Sequence, residues 1–254
     1  MTEHIQITTA DRVTTLRFAR PDKKNAITVD MYAALTAALA AAGADPGVRA
    51  VVIAGSPSCF TAGNDLGDFL RVAQGGGAPT AAVDFLSALA ACAKPIVAAV
   101  NGIAIGIGTT LLLHCDLVYA APTATFRTPF VELGLVPEAG SSLLLPALIG
   151  ARRAARMLLL AEAIDAPTAL DWGLVTGVAD DADAAAADAA RRLARGAPAA
   201  LRATKALVWQ ASREALREAM AAEVKAFTAA LQGPEAAEAL RAFGARRSPD
   251  FSDV

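Results

Sequence analysis

Apolar and polar positions alternate with a period of two through HIQITTADRVTTLRFAR, on either side of Ala10-Asp11. Successive side chains of a strand point to opposite faces, so the segment predicts an opening β-hairpin. The polar run RPDKKNAIT follows, and Thr28 stands where it can cap a helix through VDMYAALTAALAAAG, ending at Gly43. VRAVVIAGS is a short unbroken apolar run, which predicts a buried strand leading into a loop, SPSCFTAGNDLGDF. The glycine-rich QGGGAP is predicted to be mobile. An Ala-rich helix, the strand PIVAAV and a second glycine turn come next.

CDLVYAAP and ATFRTP read as short strands, GSSLLLPALIG as a helix, and DAPTALDWGLVTGVA as a short helix followed by a strand. From Asp181 onward the pattern is helical: DADAAAADAARRLARG, APAALRATKALVWQAS, REALREAMAAEVKAFTAALQ and PEAAEALRAFGARR. Strand–helix units first and helices last predict an α/β core over residues 1–197 with a helical segment over 198–254. Twice, at IAGSPSCFTAGND and AAVNGIAIGIGTT, a buried strand runs into a glycine-containing turn that opens a helix. Amides at such turns lack intrahelical acceptors and are available to a negatively charged oxygen.

Composition narrows the class. Of the 254 residues, 55% are apolar and 19% charged, enough for a sizeable core and too apolar for bulk disorder. Aromatics are only 5% and alanine fills much of the rest, which favours close helix packing over a bulky interior. A formal charge of −2 supplies no general attraction to nucleic acid or anionic lipid. Cys59, Cys92 and Cys115 are scattered and lack CxxC spacing, arguing for a reducing compartment and against a disulfide scaffold or zinc site. The N-terminus alternates rather than forming an apolar block, so no signal peptide is expected. The longest apolar stretch, PIVAAVNGIAIGIGTTLLL, holds Asn101, three glycines and two threonines, and reads as strand–turn–helix rather than a membrane span. A cytoplasmic address is expected.

Candidate chemistry is sparse. In GIAIGIG the pair Gly106 and Gly108 is followed by Leu111 where a dinucleotide loop needs glycine, and no suitably spaced acidic residue follows. No GxSxG, HExxH or P-loop pattern occurs. His114 and Cys115, at a helix-to-strand joint, read as core residues; Trp172 and Trp209 read as packing, and Arg152-Arg153 and Arg191-Arg192 as solvated helix faces. That leaves carboxylates. Glu138, in GLVPEAGSS, is either a first-turn carboxylate meeting the positive end of a helix or a catalytic base.

The ordered set RPDKKNAIT, CFTAGNDL, AAVNGIAIGIGTTLLLHCDLVYA, ATFRTPFVELGLVPEAGSSLLLPALIG, DAPTALDWGLVTGV and FGARRSPDF resembles the crotonase (enoyl-CoA hydratase/isomerase) superfamily over almost the whole chain. The resemblance implies an α/β spiral of ββα turns with a helical C-terminal trimerisation segment, assembled as a homotrimer or a dimer of trimers. It implies an acyl-coenzyme A thioester substrate, no cofactor beyond the coenzyme A of that substrate, no metal, no nucleic acid and no membrane partner. It places oxyanion donors at the backbone amides of Asn64 and Ile107. The two glutamates of hydratases fall on Thr110 and Phe130, while Glu138 matches the single glutamate of the Δ3,Δ2-enoyl-CoA isomerase branch, as PEAGSS and GNDL also do. Phe130, Leu135, Val136 and Thr110 are then expected in the substrate pocket. Coenzyme A is expected to meet Lys23, Lys24, Ala26, Ala62, Asp65, Leu66, Arg246 and Arg247, with Asp65 also shaping its loop. Glu132 is the reserve carboxylate. The isomerase reading competes with hydration, with other thioester-enolate reactions, and with a non-catalytic paralogue that binds RNA or a protein partner.

Overall fold

The computed structural model describes residues 2–73 and 80–253; the QGGGAP segment lies outside the described residues. The opening hairpin pairs β1 (Ile5–Ala10) with β2 (Val13–Phe18) antiparallel, turning at Asp11 and Arg12, both at positive φ. α1 (Val29–Ala44) starts at Thr28, whose hydroxyl accepts from the Met31 amide at 3.3 Å, and runs one residue past Gly43. β3 (Ala50–Ala54) is buried at every position, as its unbroken apolar run requires. The stretch expected as loop contains instead a three-residue strand, β4 (Cys59–Thr61), and α2 (Leu66–Ala73). So short a strand has little local signal, because its partner lies some forty residues away.

α3 (Thr80–Ala91), β5 (Ile96–Val100), β6 (Ile103–Ile105), α4 (Ile107–Thr110), β7 (Leu117–Ala120) and β8 (Thr125–Arg127) continue the strand–helix order. α5 (Ser141–Ile149) and α6 (Ala151–Leu159) meet at Gly150, and β9 (Ile164–Asp165), α7 (Ala166–Trp172) and β10 (Gly177–Val178) complete the core. The C-terminal helices are α8 (Ala182–Arg195), α9 (Pro198–Gln210), α10 (Arg213–Leu231) and α11 (Pro234–Gly244).

Two sheets result. The larger has the order β1-β2-β3-β5-β7-β10 and is parallel apart from the hairpin; the smaller has the order β4-β6-β8-β9. One face of the larger sheet, with Val52, Ala54, Val97 and Ala99, packs on Ala186, Ala189, Ala190 and Ala194 of α8. Alanine on the helix lets the backbone approach the sheet closely, which is where the Ala-rich composition is spent. The other face holds the main core, including Leu16, Ile53, Phe60, Phe85, Ile96 and Leu111. Trp172 is a packing residue, as expected, but Arg153 and Arg156 stack on its ring with guanidinium carbons 5.3 and 5.2 Å from the centroid, so Arg153 does more than face solvent.

Candidate active site

β4 and β6 pair in parallel, so the turns that follow them, at 62–64 and 106–108, lie side by side. Contact is close: a Cβ on Gly63, whose φ is +92°, would sit 2.8 Å from the Ile105 carbonyl oxygen, and one on Gly108 would sit 2.6 Å from Thr61 Cγ2. Glycine is required at both places. The Ile27 amide donates to Gly63 O at 2.8 Å and the Asp65 amide to Ile27 O at 2.9 Å, an arrangement that skips the amide of Asn64 between them. Ile107 is the first residue of α4 and has no carbonyl one turn earlier to bond. Among the described residues neither the Asn64 nor the Ile107 amide meets an acceptor. The Asn64 side chain is held separately, its Oδ1 accepting from the Tyr32 hydroxyl.

Glu138 stands before the helix, not in its first turn. α5 begins at Ser141, and the Glu138 carbonyl accepts from the Ser141 amide at 3.1 Å and the Ser141 hydroxyl at 2.6 Å. The macrodipole reading of this glutamate is therefore wrong: its carboxylate does not cap α5. Oε1 of Glu138 instead accepts from the buried hydroxyl of Thr110. Burial pushes the Glu138 pKa up to about 7; the Thr110 hydrogen bond pulls it down and the nearby Glu223 carboxylate pushes it further up. Burial of the Tyr32 phenol raises its own pKa well above 10.0, with the Glu138 charge adding to the effect.

Glu138, Asn64 and His114 line one cavity of about 930 Å³. Its walls come from α3, α9 and α10, through Leu86, Trp209, Met220 and Val224 among others. The C-terminal helices thus close over the cavity of their own chain. Phe130 and Leu135, expected on the pocket wall, are buried in the main core instead, and Val136 packs against it; none of the three lines this cavity. The Phe130 ring reaches Gly106, where an added Cβ would lie 4.0 Å from Cε1, so it backs the 106–108 turn rather than facing the open space.

The other predicted positions divide in two. Lys23 and Lys24 are exposed on a 3-10 turn, and Ala26 and Ala62 are tied to the same loop, the Ala26 amide donating to Lys23 O at 3.0 Å and the Ala62 amide to Lys24 O at 2.9 Å. Arg20 braces this group, donating to the Ala26 carbonyl at 3.0 Å and pairing with Asp65 at 2.6 Å, while Asp65 also accepts from the Gly67 amide. Leu66 is half-buried against the core. Arg246 is exposed at φ +54°; Arg247 is paired with Glu238 at 2.5 Å, and that pair holds Glu238 down to about 2. Among the described residues no hydrogen bond or ion pair joins Arg246 or Arg247 to the Lys23–Ala26 loop. Glu132 is exposed and paired with Arg127 at 2.5 Å, away from any role at the cavity.

The family model for enoyl-CoA hydratase/isomerase matches residues 8–254. The chain belongs to the enoyl-CoA hydratase/isomerase family. Human enoyl-CoA delta isomerase 2 is 35% identical over 254 residues, covering 97% of this chain and 64% of the relative; the chain therefore spans just under two thirds of that protein. The 2,3-dehydroadipyl-CoA hydratase of Escherichia coli is 34% identical, covering 94% of this chain and 95% of the relative. The crystal structure of an enoyl-CoA hydratase/isomerase from Pseudoalteromonas atlantica T6c superposes with a TM-score of 0.93 at 40% identity, covering 98% of this chain and all of that one. The crotonase fold is therefore established for this member of the enoyl-CoA hydratase/isomerase family.

Two residues of the site carry no functional signal in the sequence: Tyr32, which fixes Asn64, and Glu223, which lies in α10. Tyr32 looked like one more apolar position of α1, and Glu223 like a charged residue on an amphipathic helix. Only Glu223's burial, at 6% exposure and with no cation paired to it among the described residues, sets it apart. Among the described residues no helix is long and apolar enough to cross a membrane.

Proposed function

We propose that this chain is a Δ3,Δ2-enoyl-CoA isomerase, moving the double bond of a 3-enoyl-CoA to the 2-position. The observation that carries the reading is the solitary carboxylate of Glu138, open to the cavity and brought near neutrality by burial. A carboxyl with a pKa of about 7 is divided between base and acid at neutral pH, as a group that both takes and returns a proton must be. Thr110 and Phe130 occupy the positions of the hydratase glutamates; a hydroxyl and a phenyl ring offer no second acid–base group to activate water.

In this mechanism the thioester oxygen accepts hydrogen bonds from the amides of Asn64 and Ile107. Ionised Glu138 takes a proton from C2. The C2 electron pair moves into the thioester, giving a dienolate with negative charge on the oxygen, and each amide stabilises that charge by roughly 3–4 kcal/mol. Protonated Glu138 then returns the same proton to C4, the remaining π electrons settle between C2 and C3, and the carboxylate is regenerated. Nothing is oxidised and no water is consumed, so coenzyme A enters only as the handle of the substrate and no separate cofactor takes part. Its phosphates meet Lys23, Lys24 and Arg246, and the exposed faces of the C-terminal helices pack in a homotrimer or a dimer of trimers. Purified protein supplied with a 3-enoyl-CoA should form the 2-enoyl-CoA, and Glu138→Gln should slow it by about 10²–10⁴. Robust hydration of a 2-enoyl-CoA, with no double-bond migration, overturns the reading.

A further inference from the structure

The peptide unit between Ala139 and Gly140, immediately after Glu138, is held at both ends by side chains from distant parts of the chain. Its carbonyl oxygen lies 2.7 Å from Nε2 of His114, in the 3-10 turn after α4. Burial pushes the His114 pKa down, so the neutral ring donates Nε2–H to that oxygen. Its N–H donates to Oε2 of Glu223 at 2.6 Å. Oε1 of Glu223 accepts from the Ser142 amide at 2.9 Å and from the Ser142 hydroxyl. Both residues of the peptide unit sit in the left-handed region, Ala139 at φ +63° and Gly140 at φ +69°. Alanine adopts that conformation only against a steric cost, so something must hold the turn in place.

We infer that Glu223 is a positioning residue for Glu138: with His114 it clamps the 139–140 peptide, fixing the left-handed turn that delivers the Glu138 side chain to the cavity. The clamp joins two independent supports, the 3-10 turn after α4 on one side and the C-terminal helix α10 on the other. Glu223 also takes over the electrostatics of the α5 N-terminus, since its carboxylate meets the free amides there. A buried carboxylate engaged by three hydrogen-bond donors is stable without a cation. Its charge in turn presses on Glu138. Other titratable or charged groups that line the cavity or act on Tyr32 of α1 are Asp68 of α2, Cys92 after α3, His114, Arg202 and Lys205 of α9, and Arg213 and Arg217 of α10, with Glu214, Glu218 and Lys225 elsewhere on α10. Glu223, rather than any of these, is the group whose charge acts on Glu138 appreciably.

The inference rests on Glu138 being the acid–base group, and its test separates the two. Glu223→Gln keeps an acceptor oxygen for one amide but removes the charge. In the 3-enoyl-CoA assay kcat should fall about tenfold, KM should change less than twofold, and the acid limb of the pH–kcat profile should move to lower pH by about half a pH unit. An isotope-edited infrared titration of the protonated carboxyl band, assigned by its loss in Glu138→Gln, should show the same downward movement of the Glu138 midpoint. A variant that merely melts earlier, with wild-type kcat, pH profile and infrared midpoint, overturns the inference. If the wild type does not isomerise 3-enoyl-CoA, the functional reading fails, and the infrared midpoint alone decides the clamp: shifted supports it, unchanged overturns it. Should Glu223→Gln not fold, Ser142→Ala removes one donor to the same carboxylate. A two- to threefold loss of kcat, or a shifted Glu138 midpoint, is then expected, and wild-type values for both overturn the inference.

Discussion

Two glutamates flank the loop that enters α5, and their surroundings differ. Glu223 is fully occupied: three donors engage its carboxylate, two of them backbone amides at a helix N-terminus. Glu138 has one hydroxyl, from Thr110, and otherwise faces an open cavity. Full occupation makes a carboxylate a strut, because its charge is spent on neighbours that do not move. Partial occupation leaves a carboxylate whose ionised form is poorly supported and whose proton affinity is accordingly high. The N-terminal electrostatics that the sequence suggested for Glu138 are real, but they are served by a residue 83 positions beyond Gly140.

The sharpest way to break this contrast is Glu138→Gln. Turnover of 3-enoyl-CoA should drop by about 10²–10⁴, the range for loss of an acid–base group. The same variant should be more stable than wild type above pH 7. The sign follows from the raised pKa: between the unfolded value near 4.5 and the folded value of about 7, the native state binds more protons than the unfolded one. Stability therefore falls as pH rises through that window, and the cost, about 1–3 kcal/mol, persists above it until glutamine removes it. Denaturant melts of both proteins at pH 5 and pH 8 read this directly. A gap that does not widen towards pH 8 contradicts a poorly supported Glu138 charge.

Next in size is Gly140→Ala. The added Cβ would lie 2.2 Å from Leu216 Cδ1 at a φ of +69°, and the turn between the two glutamates must shift. A loss of about 2–4 kcal/mol is expected in thermal or denaturant unfolding, from overpacking and left-handed strain together. Wild-type stability would show that the turn is not pinned. Thr110→Val removes the one donor to the Glu138 carboxylate among the described residues while keeping the shape. Here kcat should fall about tenfold and the acid limb should move to higher pH, since that hydrogen bond supports the charged form; Thr110→Ser should restore most of both. The smallest effect belongs to the control carboxylate. Glu132→Ala, exposed and paired only with Arg127, should leave kcat and KM within about twofold.

Much of this fold was legible in the sequence because the signals are local. The alternation around Ala10-Asp11, the Thr28 cap and the unbroken AVVIA and IVAAV runs each specify an element through the few residues that form it. The ordered motifs identified the family for the same reason: glycines at 63, 106 and 108 are demanded by backbone geometry within their own turns and those turns' neighbours. β4 and α2 were missed where that locality fails. Three residues become a strand only by pairing with β6, and nothing in CFT itself announces the pairing. The cavity wall was missed likewise, since Trp209, Met220 and Val224 look like any apolar stripe until α9 and α10 fold back over α3.

The sequence by itself determined the order of the longer strands and helices, the two glycine turns and the glutamate proposed here for acid–base work. Periodicity, capping and backbone sterics act over a handful of residues and leave their mark in those residues. Only the tertiary structure decided that Glu138 precedes its helix, that Phe130 and Leu135 belong to the core, and that His114 and Glu223 grip opposite ends of one peptide. Burial and hydrogen-bond occupancy depend on which distant segments arrive at a place, and a residue's neighbours in the chain do not record them.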